Sequence, residues 1–99
     1  MRHFAVLIEA SGLPGQMLDD DCNKCGFFTT AFVSSESAED AGRRASLVVM
    51  AWFAKSFPER ARDGTEPVLT IEEITEIAEL PPNDAVRGAT WFAEEGSAH

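Results

Sequence analysis

The chain has 99 residues, 44% of them hydrophobic, enough for a single domain, 1–99, with its own core and no need of a disulfide framework. Eight Lys and Arg against 17 Asp and Glu give a net charge of -9. Phosphate backbones and anionic membrane surfaces need clustered cations, so nucleic acid and membrane are excluded as expected partners. Acidity favours solubility and permits a basic partner without requiring one.

His3–Ala10 (HFAVLIEA) reads as the first strand, with Phe4, Val6, Ile8 and Ala10 on one apolar face. Phe4–Ile8 is too short for the apolar core of a signal peptide and Glu9 interrupts it, so a cytoplasmic location is expected. Ser11–Gly15 carries Gly and Pro and is read as a break. A polar, acidic connection then runs through Asp19-Asp20-Asp21 to Cys25. Phe27–Val33 is aromatic and β-branched, a second strand that pairs with the first as a long-tipped hairpin. Phe28, Thr30 and Phe32 share one face of it, and Phe27, Thr29, Ala31 and Val33 the other. Neither face is polar.

Ser37 is the expected N-cap of a helix, and Asp40 stands where a capping box carries Glu or Gln. Ala41, Ala45, Val48, Val49, Trp52 and Phe53 recur at helical spacing as the core stripe. Pro58 should end the helix after about 19 residues, roughly 28 Å, too short and too charged at its start for a membrane span. Glu59–Pro67 reads as a polar connection. Val68–Leu80 carries two patterns. Thr70 and Glu73 could box a helix with Ile71, Ile74, Ile77 and Ala78 on one side, whereas β-branched residues favour a strand over Val68–Ile77, the reading preferred here. Ala89–Glu94 is a short last strand with Trp91 and Phe92 on opposite faces.

The expected fold is α+β: a four-stranded, mainly antiparallel sheet with one long helix packed on one face, in the order ββαββ. With VLIEA in its first strand, GFFTTAFVS running into SAEDAGRRA, PVLTIEEITEI and a closing GATWFAEE, the chain resembles a family of small uncharacterised bacterial proteins. The likeness covers most of the chain and supports the strand at Val68–Ile77. The family carries an arginine before the phenylalanine of the second strand, where this chain has Ala31. The resemblance implies no activity.

Chemistry-bearing motifs are sparse. Cys22-Asn23-Lys24-Cys25-Gly26 resembles half of a zinc knuckle, but the other two ligands would have to come from a second chain or from His3 and His99. A redox dithiol would open a helix; this pair precedes a strand and follows three aspartates. Ordinary loop cysteines are the plainer reading, with zinc the alternative and no cofactor expected. The triple aspartate lacks the alternating ligand spacing of a calcium loop. Glu72, Glu73, Glu76 and Glu79 fit a solvated outer face, His3 a structural role, and the serines of 34–37 caps. No catalytic residue is expected.

The aromatics say more. Phe27, Phe28, Phe32, Trp91 and Phe92 fall on both faces of the sheet, and one helix covers only one, so these five are the interface candidates. The expected function is a non-enzymatic interaction module that forms a homodimer through a sheet face or edge. The alternatives are a small-molecule binder or enzyme with a pocket at that interface, and an acidic inhibitor of a basic partner protein.

Overall fold

The computed structural model describes residues 1–18, 23–82 and 85–94. Strands β1 (Arg2–Pro14) and β2 (Lys24–Ser35) form an antiparallel hairpin, followed by helix α1 (Ala38–Ser56) and a short α2 (Pro58–Arg62). Strands β3 (Val68–Ile77) and β4 (Val86–Ala93) complete a sheet of order β3-β1-β2-β4, every neighbour antiparallel. The expected α+β architecture is therefore present. The hairpin supplies the two central strands, α1 crosses over them, and the last two strands add to opposite edges.

The core lies between α1 and one face of the hairpin. Phe4, Val6, Ile8 and Ala10 of β1 and Phe27, Thr29, Ala31 and Val33 of β2 are buried there, as are Ala41, Gly42, Ala45, Val49 and Phe53 of α1. Val48 and Trp52 flank that stripe half-buried. The burial of each large aliphatic or aromatic side chain contributes about 1.5–3 kcal/mol. The start of α1 is capped as its sequence suggests, the Asp40 amide donating to Ser37 Oγ at 3.1 Å. The return arm of the box is absent. Asp40 instead accepts from the buried Ser35 hydroxyl at 2.7 Å and from Arg43 and Arg44, both at 2.6 Å. Those donors, Ser35 first and then Arg44 and Arg43, hold its carboxyl well below the usual carboxylate range.

Several boundaries differ from expectation, and β2 runs beyond Phe27–Val33 at both ends. Ser11–Gly15 does not end β1: a register shift between Ala10 and Leu13, with Gly12 at φ 73°, lets the strand continue, so that Leu13 is buried opposite Cys25. Pro58 does stop α1, but its fixed φ then opens α2, so part of the supposed connection is helical. The last strand begins earlier, at Val86, and ends at Ala93.

Bulges explain the double pattern of Val68–Leu80. In a regular strand, Ile71 and Ile74 would face opposite ways. The register of β3 against β1 shifts between Leu7 and Ile8, so Glu72 is an extra residue and both isoleucines point beneath α1, opposite Ile8 and Val6. The same device operates in β4. A shift around Gly88 (φ 74°) places Val86 opposite Ala31 and Trp91 opposite Phe27, both on the helix side. The Thr29 hydroxyl, buried beneath, bonds the Gly88 carbonyl freed by the bulge.

Candidate functional site

The five candidate aromatics divide cleanly. Phe27 and Trp91 belong to the helix side: Phe27 is fully buried, and its ring lies 5.5 Å from Trp52 and 5.0 Å from Trp91. Phe57, at the α1–α2 junction, closes that cluster against Trp52, Phe53 and Trp91. These rings hold α1 to β2 and β4. Phe28, Phe32 and Phe92 lie on the opposite face, half-buried only by their neighbours in the sheet. Among the described residues no helix, loop or strand covers them.

The open face can be written rung by rung, in the order β3, β1, β2, β4. Ile77, His3 and Ser34 form the first rung, then Thr75, Ala5 and Phe32. The middle rung is Glu73, Leu7, Thr30 and Arg87, and below it come Thr70, Glu9, Phe28 and Thr90. The last carries Phe92 opposite Gly26. Phe92 folds back over the glycine and toward Phe28, with ring centroids 5.2 Å apart. The Arg87 guanidinium lies over the Phe32 ring, 5.5 Å from its centroid. His3 Nδ1 is hydrogen-bonded to Ser34 Oγ at 2.8 Å. The centre of the face is thus apolar or hydroxylic, and its charges stand in the lower half and toward the edges.

No catalytic constellation is assembled there or elsewhere among the described residues. Glu76 pairs with Arg2 at 2.9 Å, which keeps its carboxyl below and the guanidinium above their ordinary values. Glu72, Glu73 and Glu79 are exposed. Cys25 is buried at the start of β2, its thiol donating to the Pro14 carbonyl at 3.3 Å. Cys22, the triple aspartate and His99 lie outside the described residues. His3 pairs with Ser34, nine residues along β2 from Cys25 and so about 30 Å away, which removes it as a ligand partner for Cys25 within one chain. Among the described residues no group of three His, Cys, Asp or Glu could hold a metal ion, and no helix is long and apolar enough to cross a membrane.

A groove of about 410 Å³ opens on the helix side, between α1 and the start of β4. Val48, Ala51, Trp52, Lys55, Ala85 and Val86 line it. Among the described residues Lys55 is the sole charged group in that lining. No family model, curated protein or solved structure matches the chain.

Reading parity along β2 was enough to separate Phe27 from Phe28 and Phe32. The same alternation sets Leu7 opposite the buried face of β1, whereas Thr75, Glu73 and Arg87 join the open face only through the strand order and the bulges, which no single strand reveals.

Proposed function

We propose that this protein is a non-enzymatic interaction module that forms a homodimer by packing the open faces of two sheets together. The observation that supports the reading is the uncovered cluster of Leu7, Phe28, Phe32 and Phe92 on a sheet whose one long helix, α1, packs on the other face. The sixteen positions of these rungs, each about 4.8 by 6.8 Å, give a footprint of about 500 Å² per copy. Two copies would bury about 1,000 Å², at the lower bound for a specific interface. Sheet edges are a weaker route. Each edge strand is broken by a bulge, and β3 against β3 would set Glu72, Glu73 and Glu76 beside like charges.

Light scattering at micromolar concentration tests this. The expected mass is twice the 10.8 kDa chain. Phe32→Glu should give a monomer with an unchanged far-ultraviolet dichroism spectrum, since Phe32 takes no part in the core beneath α1. A wild-type monomer at that concentration overturns the reading.

A further inference from the structure

The middle rung of the open face is antisymmetric in charge: Glu73 at the β3 edge, Leu7 and Thr30 in the centre, Arg87 at the β4 edge. Three strand spacings, about 14 Å, separate the two charges, too far for a contact within one chain. Among the described residues neither has an oppositely charged partner; the ion pairs there are Arg2–Glu76, Arg43–Asp40 and Arg44–Asp40. The Arg87 guanidinium rests over the Phe32 ring, which keeps the charge on the open face.

Two sheets packed face to face are related by a twofold axis lying in the plane between them. Two limiting directions exist. An axis across the strands sets β4 over β4, so Arg87 meets Arg87 and Glu73 meets Glu73. An axis along the strands, passing between β1 and β2, sets β4 of one copy over β3 of the other. Each Arg87 then stands above the partner's Glu73 edge, and both pairs form at once. Stacked sheets lie about 10 Å apart, a gap that one arginine and one glutamate side chain span together. The second direction also places the small Ala5 opposite Phe32, so that a large side chain meets a small one at the centre. Glu9 lies on the half of the face that receives Arg87, which adds to the attraction.

We infer that the partner for this face is a second copy of the chain, docked about a twofold axis parallel to the strands, with Arg87 of each copy paired to Glu73 of the other. The inference rests on the face-to-face dimer proposed above and specifies its orientation and register.

Charge reversal tests it by sedimentation equilibrium on the full chain. Arg87→Glu and Glu73→Arg should each raise the dimer dissociation constant at least about tenfold, because each turns two attractive pairs into two repulsive ones. Net charge alone would act otherwise: Glu73→Arg makes the chain less acidic and would tighten self-association. An equimolar mixture of the two single variants should form a heterodimer of near wild-type affinity, since both pairs are regenerated across it. The double variant Arg87→Glu/Glu73→Arg should likewise self-associate within about threefold of wild type. All three variants should keep the wild-type dichroism spectrum, since both side chains are exposed. The outcomes separate the two levels of the argument. A wild-type monomer removes the dimer itself. A wild-type dimer that Phe32→Glu breaks, but that Arg87→Glu tightens or leaves unchanged, keeps the dimer and overturns this orientation.

Discussion

Gly26 and Gly42 are both buried and neither has a positive φ, yet the same substitution should act oppositely at the two. A Cβ at Gly26 would run into the Ala10 carbonyl oxygen of the paired strand and meet the Phe92 ring at 2.6 Å. The ring can swing away, but the carbonyl belongs to the hydrogen-bonded ladder between β1 and β2 and cannot move without opening it. Forcing a methyl group into a packed site costs about 1–3 kcal/mol, and the backbone obstacle sets Gly26→Ala at about 3 kcal/mol. For a chain of this length that lowers the melting midpoint by about 12–24 °C. At Gly42, a Cβ would meet Ile71 Cδ1 at 2.7 Å and Ile74 Cδ1 at 3.4 Å. Both are ends of flexible side chains on an edge strand, and Ile71 is 42% exposed, so it has room to turn. Alanine is better than glycine in a helix by about 1 kcal/mol, so Gly42→Ala should fall between unchanged and about 1 kcal/mol more stable. Urea denaturation of both variants, at the same protein concentration so that self-association is held fixed, measures the contrast. A Gly26→Ala midpoint equal to that of wild type would refute the close approach of β1 and β2, and a Gly42→Ala loss as large as that expected for Gly26→Ala would refute the freedom assigned to Ile71.

Two further outcomes concern the start of α1. Ser37→Ala removes the acceptor for the Asp40 amide and should cost about 1 kcal/mol in urea denaturation. Asp40 has a carboxyl depressed in the folded state, so on acidification the unfolded chain takes up its proton first. Its contribution is complete above the unfolded value, about pH 4, and is lost as the pH falls toward the folded value. Wild-type stability should therefore drop below about pH 4, and Asp40→Asn should be less stable at pH 7 with a flatter acid limb. Equal acid limbs in the two proteins would show that the Ser35, Arg43 and Arg44 contacts do not act on folding.

Which parts of this architecture could be read in advance depended on whether the determining interaction was local. Ser37, the Ala41–Phe53 stripe and Pro58 mark out α1 because capping, helical period and the proline ring act within a few residues of one another. The alternation of Phe4, Val6, Ile8 and Ala10 likewise identified the buried face of β1. The bulges were not legible. Gly12 read as a break rather than as the residue that lets β1 continue, and Ile71 and Ile74 carried a helical spacing because an inserted Glu72 restores their common face within a strand. A bulge is a property of two paired strands, and its signature in one strand alone is a period that looks wrong.

The charge pattern of the open face is one step more remote. Glu73 and Arg87 lie on consecutive strands of the sequence, which in a simple meander would be neighbours and could pair within the chain. The observed order β3-β1-β2-β4 sends those strands to opposite edges and keeps the two charges apart. With both edges charged and aromatic rings between them, the face is self-complementary under one twofold axis and self-repelling under the other. Like charges brought face to face cost several kcal/mol, so the separation of Glu73 from Arg87 works against the wrong alignment as much as it favours the right one. A chain with a net charge of -9 must overcome its own long-range repulsion to self-associate. Raising the salt concentration should therefore strengthen the wild-type dimer by screening that repulsion, while narrowing the difference between wild type and Arg87→Glu by screening the rim pairs. Salt that weakened wild type and variant alike would show instead that attraction between opposite charges, rather than the apolar centre, holds the copies together.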